Sequence, residues 1–587
     1  MPTRLDLVSP HPVICVIDHL HRDVDIADAA SRGRFIHAGV ELELGRTPDW
    51  IDGGLADDDE WRIEWVKLYE GLDLAHAYTI TGEADYLTTW EDLVEAFCDQ
   101  VGVGHDSCDV TARRLQNWLY TWQRFADAVH FTGLRPGLAE RLTQRIAADA
   151  AHLRAHLTAQ RNHRTLELYA LLIVGLSLPD ELDELARFAL DELSRNLLTD
   201  VWSDGVHREC STDYHCIALR SYLGAIANAR AAGLELSGGF IGRVSLALDF
   251  ALHIQRPDGM TPSFSDGDTG DFGELLAFGA ELLGRDDLRW VATRGNEGVP
   301  PARRDVTFPV GGYITARSGW GAGSRAYGDE RFMLMDAGPI GDGGHGHYDQ
   351  LSIELYAQGR SLVVDPGRYT YARGPMRQWF KGSKGHNTVT VDGLDQTPYR
   401  HAAPKQATSQ AHVLRRRSLH DFDAVEAELR SPQHEVVHTR RVLFPHRDYW
   451  VVHDHLLGDT DHCYEARWHL PAEANGRVTV VRGTDQTTVR TPAGVLVVPA
   501  SLTVELEPGW VSPSYGVKEP APVIVVRAHG IEADIVTVLC PGDSDVALDD
   551  QTARGALRCI VTRGDTGDLI EWTAATDVSW ERWSACR

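Results

Sequence analysis

The period of the apolar residues changes once along the chain, near residue 300, and this change limits the fold more than any other feature. From Trp61 onward, apolar residues recur every three to four positions over more than 200 residues, which is the period of helices that bury one face. One stretch ends at Gly82, a residue suited to close a helix, and comprises Trp65, Leu68, Leu72, Ala75 and Tyr78. Similar stretches predict further helices over residues 84–102, 111–132, 136–159, 163–176, 181–198, 212–232, 239–255 and 271–284. Consecutive helices with short connections form antiparallel hairpins, and we expect these to bend into an incomplete (α/α) toroid with a concave face.

After residue 300 the chain consists of short runs rich in β-branched residues, separated by turn residues. The segment GNEGVPPARRDV, residues 295–306, has the polar, proline-containing composition of a linker. The runs after it include FPVGGYITARS, LSIELYA, SLVVDPG, HNTVTVDG and ADIVTVLCP. Strands alternating with turns predict antiparallel sheets packed as a sandwich. We therefore predict a multidomain α+β protein with an irregular segment over residues 1–60, the toroid over 61–300 and an antiparallel β-sandwich over 301–587.

Charge and composition exclude several classes of partner. The net charge is −28, and a global field of that sign opposes the binding of nucleic acid or an anionic membrane. No apolar run reaches the roughly 18 residues that a membrane span requires. The first residues lack a basic region followed by an apolar stretch and a small-residue cleavage site. Nine scattered cysteines without a CxxC pair indicate reduced thiols, so we expect a cytoplasmic protein.

A basic segment interrupts this acidic chain between residues 360 and 417. Its cations are Arg360, Arg368, Arg373, Arg377, Lys381, Lys384, Arg400, Lys405, Arg415, Arg416 and Arg417. These eleven are interrupted by only three acids, Asp365, Asp392 and Asp395, which leaves a net charge of +8. A locally positive segment favours a site for a small or polymeric anion, and the alternative is the solvated face of a loop.

A glycine-rich stretch over residues 341–388 holds three histidines and an aspartate that follows an apolar run. Glycine allows a loop to turn sharply and approach a ligand closely. His347, Asp365 and His386 have the atom types of a His/His/carboxylate metal site, although a surface hairpin with incidental histidines has the same composition. A tight hairpin that turns at residues 358–359 leaves His347 roughly 16 Å along the strand from Asp365. A metal site therefore requires the glycine loop to fold back over the strand.

Two polar segments lie where loops enter predicted helices. RNHRTLE begins at Arg161 and contains Asn162 and His163, whose alternative role is to cap the helix. HRECSTDYHC begins at His207 and contains Tyr214 close to a histidine and an arginine. Positive neighbours lower the pKa of a phenol from about 10, which makes this tyrosine a candidate proton donor. The alternative is a buried tyrosine whose hydroxyl is satisfied by hydrogen bonds.

Six segments in this order carry a resemblance to a known family. They are LDLAHAYTITGEADY, RRLQNWL, RNHRTLELYALLIVGLSLP, STDYHCIALR, GHGHYDQLSIELYAQGRSLVVDPG and KGHNTVTVDG. In order and spacing they resemble the heparinase II/III-like polysaccharide lyases over about residues 61–470. The resemblance implies an incomplete α/α toroid joined to antiparallel β-sheet domains. It also implies a carbon–oxygen lyase that cleaves 4-linked uronic-acid glycosides by β-elimination and leaves a 4,5-unsaturated product.

The resemblance further implies roles for individual residues. Asn162 or its neighbour His163 would neutralise the uronate carboxylate. Tyr214 would act as the acid, or as combined acid and base, and His345 would be the base or its partner. A donor on the carboxylate stabilises the enolate-like intermediate that forms when the weakly acidic C5 proton leaves. These four residues are the predicted catalytic set.

A structural metal is part of the same resemblance. His347, Asp365 and His386 would be its ligands, usually of zinc, although His386 could serve catalysis instead. No organic cofactor is implied. Three further residues are candidates for substrate contacts through stacking or charge, namely Trp118, Arg114 and Arg377.

Three hypotheses follow for the function. The first is a lyase acting on an acidic oligo- or polysaccharide, with no nucleic-acid or membrane partner and with homo-oligomerisation left open. The second is a glycoside hydrolase on the same toroid, using Glu209 and Asp213 as its acid and base. The third is a saccharide-binding protein without activity. Ultraviolet absorbance of the product distinguishes the lyase, because hydrolysis releases reducing sugar without an unsaturated bond.

Overall fold

The computed structural model describes most of the chain, over residues 10–51, 54–402, 408–419, 421–573 and 578–584, but not the side chains of 179–183. Lys405 of the basic segment lies outside these residues. Contacts divide the chain into a helical unit, residues 1–201 with 217–244, and a strand unit, residues 202–216 with 245–587. The boundaries at residues 60 and 300 stay predictions, but residues 1–60, predicted to be irregular, contain a helix over 24–31 and a two-stranded hairpin over 34–43. The division by contacts instead assigns residues 245–300 to the strand unit.

Helices dominate the chain up to residue 292. They are α1 (Val24–Ser31), α2 (Asp59–Trp65), α3 (Glu70–Thr81), α4 (Ala84–Gln100), α5 (Cys108–Asp127), α6 (Leu138–Ala155), α7 (Arg161–Ser177), α8 (Pro179–Asp200), α9 (Thr212–Ala231), α10 (Gly238–Ile254), α11 (Gly273–Leu283) and α12 (Asp286–Ala292). Two strands, β1 (Arg34–His37) and β2 (Val40–Glu43), form a hairpin after α1. The predicted helices from residue 84 onward are confirmed, with ends that differ by at most five residues.

A glycine ends α3 at the position that the sequence predicts. Gly82 closes α3 with a left-handed φ of 74°, as predicted, and its N–H donates to the carbonyl of Tyr78. Within the helical unit, α5 packs against α3, α6 and α7, and α7 packs against α8. This sequential packing of neighbours is what the helical periodicity predicts.

Tryptophans fill the core of the helical unit, with Trp61, Trp65, Trp90, Trp118 and Trp122 completely buried. Trp118 lies on α5, and its ring meets that of Phe97 edge-on at 5.5 Å between centroids. A completely buried ring presents no face to a sugar, so the predicted stacking role of Trp118 is corrected to core packing. The reason is position, because α5 is covered by other helices on several sides.

The strand unit contains a short strand pair and a first sheet. The pair is β3 (Met260–Thr261) with β4 (Gly270–Asp271). The first sheet has the order β5 (Asp305–Phe308), β6 (Tyr313–Arg317), β7 (Phe332–Asp336), β8 (Ile353–Ala357) and β9 (Arg360–Val363). β8 and β9 turn at Gln358 and Gly359, both with positive φ, which confirms the predicted hairpin turn. A short helix, α13 (Pro375–Lys381), follows β9.

A larger sheet and a smaller one complete the strand unit within the described residues. Their strands are β10 (Val389–Val391), β11 (Gln410–Ser418), β12 (Phe422–Arg430), β13 (Val437–Pro445), β14 (Trp450–His469), β15 (Thr479–Arg482), β16 (Gln486–Arg490), β17 (Gly494–Pro499), β18 (Thr503–Ser514), β19 (Val517–Pro541), β20 (Val546–Asp550), β21 (Leu557–Arg563), β22 (Thr566–Trp572) and β23 (Ser579–Ser584). The larger sheet runs β11-β12-β13-β14-β19-β17-β16-β15, with β10 on β14 and β18 on β19. The smaller sheet runs β20-β21-β22-β23.

The larger sheet separates two apolar cores, which makes the strand unit a β-sandwich. Successive residues of β14 point to opposite faces, so Val452 joins a core with Ile353 of the first sheet, and Val451 joins a core with Val561 of the smaller sheet. Pairing between the described strands is antiparallel, as predicted. The first sheet matters most for function, because the loop between β7 and β8, residues 337–352, carries two of the predicted histidines.

The buried position of Trp118 gives a stability prediction. Replacing Trp118 with alanine should lower the free energy of unfolding by ~3–5 kcal/mol, because the helical core keeps a cavity where the indole was. Chemical denaturation followed by circular dichroism of the helices measures this, and Trp118→Phe should cost less. Exposed Trp583 offers the control, since Trp583→Ala should change stability by less than ~1 kcal/mol. An unchanged midpoint for Trp118→Ala would contradict the core assignment.

Candidate active site

The glycine loop between β7 and β8 folds back as the metal prediction requires. Gly341 and Gly343 adopt left-handed φ values of 84° and 87°, which turn the chain. At Gly346 a Cβ atom would lie 1.8 Å from the carbonyl oxygen of Ile340, so no larger residue fits there. The buried Lys381 of α13 fastens the loop by donating from Nζ to the carbonyl of Gly344 at 2.6 Å.

His345 and Tyr214, predicted separately, lie against each other within the strand unit. Their rings stack with 3.9 Å between centroids and 27° between planes. Both side chains keep some exposure, which argues against the alternative of a fully buried tyrosine. Nδ1 of His345 lies 3.2 Å from Oδ2 of Asp266, and Nε2 lies 3.9 Å from Oε2 of Glu209. The sequence placed neither carboxylate beside this histidine.

Asp266 is the buried carboxylate on which both histidines of the loop depend. It accepts hydrogen bonds from both terminal nitrogens of Arg377, the second at 2.7 Å, and lies 2.8 Å from Nε2 of His347. Burial raises the pKa of Asp266, but the Arg377 guanidinium and the two imidazoles outweigh burial and hold the pKa well below its ordinary value. Asp266 is therefore ionised and acts as an acceptor for the Nδ1–H of His345.

Both terminal nitrogens of Arg377 donate to Asp266. The prediction that Arg377 contacts the substrate is therefore corrected. Its side chain is about 2% exposed, and its guanidinium forks onto one carboxylate. The sequence showed a cation in a basic segment but could not show a buried acid 111 positions away. Arg377 positions Asp266, and through it His345.

Tyr371 is a further tyrosine at the site that the sequence argument missed. Its hydroxyl lies 3.1 Å from that of Tyr214 and accepts a hydrogen bond from Nη1 of Arg368 at 2.7 Å. Arg368 also forks onto Asp268 with two contacts of 2.8 Å. The two phenols can exchange a proton, and a cation stands beside the second one. The signal in the sequence was the segment DPGRYTYARG, which begins at the predicted ligand Asp365.

A second group of side chains fits a metal ion. His347, Asp349 and His386 each offer a ligand atom, and these atoms lie within 4.8 Å of one another. Nδ1 of His347, Oδ2 of Asp349 and Nε2 of His386 are buried without a hydrogen-bond partner in the described part of the chain. Two imidazole nitrogens and a carboxylate oxygen that are buried, close together and without hydrogen-bond partners in that part of the chain suit a divalent cation.

Asp349 therefore takes the place that the sequence predicted for Asp365. The carboxylate of Asp365 lies behind His386, with Oδ2 2.8 Å from Nδ1 of that ring. Asp365 can accept a hydrogen bond from Nδ1–H of His386, the ring nitrogen that is not the candidate metal ligand. This contact fixes the orientation of the imidazole, as hydrogen-bond partners of metal ligands commonly do. The correction has a geometric cause, since Asp365 follows β9 whereas Asp349 belongs to the same loop as His347.

Asn162 and His163 lie in the first turn of α7, in the helical unit. The helix begins at Arg161 with Gln160 as its N-cap, so neither predicted residue occupies the cap position. Asn162 is buried, whereas the His163 side chain is 45% exposed with Nδ1 3.8 Å from Asp109. Their catalytic roles remain predictions.

Arg114, predicted to contact substrate, is instead part of the core of the helical unit. It is 1% exposed, and its Nη1 donates to Asp106 at 2.6 Å. Its guanidinium also lies over the ring of Phe97 at 4.4 Å. A buried arginine held by an ion pair and an aromatic ring exposes no donor to a sugar, so this prediction is corrected.

The carboxylates of the hydrolase hypothesis do not stand as an exposed pair. Glu209 is 1% exposed and lies beneath His345, as the 3.9 Å contact shows. Asp213 accepts from the N–H of Asp268 at 3.5 Å. A glycosidase needs both carboxyl groups to flank a sugar in an open cleft, and burial of Glu209 opposes this.

Two family models match the chain in succession. The model for the heparinase II/III N-terminus matches residues 26–278, and that for the heparinase II/III-like C-terminal domain matches residues 300–558. The chain belongs to the heparinase II/III-like family. This confirms the resemblance read from the sequence motifs.

Curated relatives of this heparinase II/III-like chain are named heparin-sulfate lyases. One from Pedobacter heparinus is 23% identical over 456 residues, which cover 74% of this chain and 66% of the relative. One from Bacteroides stercoris is 23% identical over 507 residues, covering 83% and 72% respectively. The chain thus spans about two thirds of the length of the first relative.

Solved structures agree on the fold. A crystal structure of heparinase III matches with a TM-score of 0.79 and 16% identity, over 99% of this chain and 93% of the other. The predicted fold class, an incomplete toroid followed by antiparallel β-sandwich, is confirmed. Among the helices of the described residues, none has the length and apolarity to cross a membrane.

The buried ion pair of Asp266 and Arg377 should contribute to the stability of the fold. Asp266→Asn should lower the free energy of unfolding by ~3–5 kcal/mol, because it leaves the Arg377 charge buried and unpaired. Denaturant unfolding followed by tryptophan fluorescence measures the loss. The partly exposed pair of Asp268 and Arg368 is the matched control, and Asp268→Asn should cost only about 1 kcal/mol. Equal losses in the two variants would contradict the special position of Asp266.

Proposed function

We propose that the protein is a polysaccharide lyase that cleaves 4-linked uronic-acid glycosides by β-elimination, acting on acidic oligosaccharides. Its membership of the heparinase II/III-like family and relatives named heparin-sulfate lyases support a lyase. The observation that carries the proposal is the stacked pair of Tyr214 and His345, with the Tyr214 hydroxyl hydrogen-bonded to Tyr371. This arrangement offers a base and an acid side by side on one partly exposed surface.

The proposed reaction breaks the C5–H and C4–O4 bonds and forms a C4–C5 double bond and an O4–H bond. A base removes the proton from C5 of the uronate, the C4–O4 bond breaks, and a double bond forms between C4 and C5. The departing O4 takes a proton from an acid, so no redox cofactor is needed. Charge that builds on the carboxylate must be stabilised, and Asn162 or His163 is proposed for this role.

The hydrogen bonds support one arrangement of the proton on His345. Because Asp266 is ionised, it holds the proton of His345 on Nδ1, which leaves the lone pair on Nε2 available. An unprotonated Nε2 can accept the C5 proton or assist Tyr214 in doing so. The Tyr214 hydroxyl is proposed to protonate O4, and Tyr371 with Arg368 offers a route to restore that proton.

Zinc is the metal that we propose for His347, Asp349 and His386, because it favours imidazole and carboxylate ligands in small coordination shells. When bound, the ion would fix the glycine loop as a structural centre. The residues themselves already orient the loop, since His347 reaches Asp266 and His386 reaches Asp365. His345 lies two positions before His347 in the same loop. A metal that held His347 in place would therefore also restrict the position of the His345 imidazole.

The acid role of Tyr214 is tested by removing its hydroxyl. Tyr214→Phe should lower kcat ~100-fold or more while KM changes little, because the proton donor is lost and the ring is kept. Ultraviolet absorbance of unsaturated products from a panel of uronic oligosaccharides measures the rate. Buried Tyr356 on β8 provides the control, and Tyr356→Phe should stay within ~3-fold of the unmodified protein. Full activity of Tyr214→Phe would remove the proposed acid, and reducing sugar without absorbance would favour the hydrolase.

Metal analysis separates the ligand assignments. The purified protein should hold about one zinc ion per chain, and His386→Ala or Asp349→Ala should abolish binding. Asp365→Asn should retain the site with an affinity lowered ~10–100-fold, since Asp365 only orients His386. Exposed His412 on β11 supplies the control variant His412→Gln, which should bind zinc normally. Normal zinc content in Asp349→Ala would refute its role as ligand.

A further inference from the structure

The two chain segments that carry the candidate metal ligands meet at Arg440, a residue of the larger sheet. Arg440 lies on β13, and its side chain is completely buried. Its Nη1 donates to the carbonyl of Leu351 at 2.7 Å and to the carbonyl of Asn387 at 2.5 Å. Leu351 follows the candidate ligand Asp349 by two positions. Asn387 directly follows His386, the candidate ligand of the other segment. One nitrogen atom therefore joins the backbone of both ligand segments.

Leu351 has a backbone conformation that its surroundings must hold in place. Its φ is 63°, in the left-handed region that residues with a side chain rarely adopt. The residue is completely buried, and its N–H donates to the carbonyl of Asp336 at 2.7 Å. Such a strained conformation persists only where neighbouring contacts oppose its relaxation. The hydrogen bond from Arg440 to the Leu351 carbonyl is one of these contacts.

Asp454 and His438 hold the guanidinium of Arg440 in place. Nε and Nη2 of Arg440 donate to the two carboxylate oxygens of Asp454 on β14, at 2.6 and 3.0 Å. Nε2 of His438 lies 2.7 Å from the same carboxylate. Burial raises the pKa of Asp454, but Arg440 and His438 outweigh burial and hold that pKa below its ordinary value. The ionised carboxylate thus fixes one side of the guanidinium, which directs Nη1 at the two carbonyls.

Asn387 connects the same region to the first sheet. Its side-chain nitrogen donates to the carbonyls of Ile353 and Val364, at 2.8 and 2.9 Å. Ile353 begins β8, and Val364 directly precedes Asp365, the carboxylate that lies behind the second histidine. A displacement of the Asn387 backbone would therefore also disturb the residues that orient this histidine. Arg440 holds that backbone through the Asn387 carbonyl.

We propose that Arg440 is a positioning residue for the metal centre, because it holds the carbonyls of Leu351 and Asn387 together. The distance between these carbonyls limits how far Asp349 and His386 can move apart. The inference rests on the zinc site of the proposed function but not on β-elimination. Arginine suits this role, since its planar group can fork onto a carboxylate and still donate to further acceptors.

Arg440→Lys tests this role, since lysine keeps the charge opposite Asp454 but cannot both fork onto the carboxylate and bridge two carbonyls. Competition with a zinc chelator on the folded protein measures the affinity for zinc. We expect Arg440→Lys to weaken zinc binding ~10-fold or more, a loss that changes around metal ligands commonly produce. An unchanged zinc affinity would overturn the proposal.

Arg447 provides the matched control. It is buried at the turn between β13 and β14, where it forks onto Asp423 at 2.7 and 3.3 Å. It also donates to the carbonyl of Leu419 at 2.6 Å. Arg447→Lys therefore disrupts the same kinds of contact at partners outside the ligand segments, and it should keep the zinc affinity within ~2-fold. Equal losses of zinc affinity in the two lysine variants would indicate a general loosening of the strand unit and refute a specific role of Arg440.

A milder variant keeps the proposal testable if Arg440→Lys does not fold, which chemical denaturation of the metal-free protein shows. His438→Leu removes one hydrogen bond from Asp454 and keeps Arg440. It should weaken zinc binding ~3-fold or more, because Asp454 then holds the guanidinium less firmly. An unchanged zinc affinity of His438→Leu would then count against the positioning role.

Zinc affinity and product formation separate this inference from the lyase proposal. If no unsaturated product forms from uronic oligosaccharides, the lyase proposal fails. The positioning role is still supported when Arg440→Lys loses zinc affinity and Arg447→Lys does not. If the unmodified protein binds no zinc, the positioning role is overturned, whereas unsaturated product would still support the lyase.

Discussion

The ion pair between Asp266 and Arg377 is the interaction on which the site depends. Burying a carboxylate is unfavourable unless a cation and hydrogen bonds compensate, and here a forked guanidinium and two imidazoles do so. The same carboxylate therefore orients His345 and His347 at once. Because Asp266 is ionised, it can accept a hydrogen bond from Nδ1 of His345, and Nε2 of the same ring is the nitrogen proposed as the base.

The glycine loop carries the proposed base, His345, and a proposed metal ligand, His347, within a span of three residues. His345 stacks on Tyr214, whereas His347 lies with Asp349 and His386 in the cluster suited to a metal. Glycine is required at this loop, since Gly346 approaches a backbone carbonyl too closely for any side chain. Rigidity at the proposed metal centre and precision at the proposed base therefore depend on the same backbone.

Local sequence patterns determined much of the protein. The change of period near residue 300 predicted a helical part and an antiparallel sandwich, because helices and strands each bury a face at a fixed interval. The motifs identified the family and made Tyr214 and His345 candidate site residues, whereas their contact depends on the tertiary structure. Gly82 and the turn at residues 358–359 were predicted for the same reason, since these positions need positive φ angles.

Only the tertiary structure decided which polar residues meet and which are buried. Asp266 reaches Arg377 across 111 positions, and Tyr214 reaches Tyr371 across 157. No periodic pattern encodes such pairs, because they depend on how the loops of different strands and helices are brought together. For the same reason the sequence could not show that Asp349 rather than Asp365 faces the cluster. Nor could it show that the indole of Trp118, a plausible sugar platform by type, lies wholly within a core.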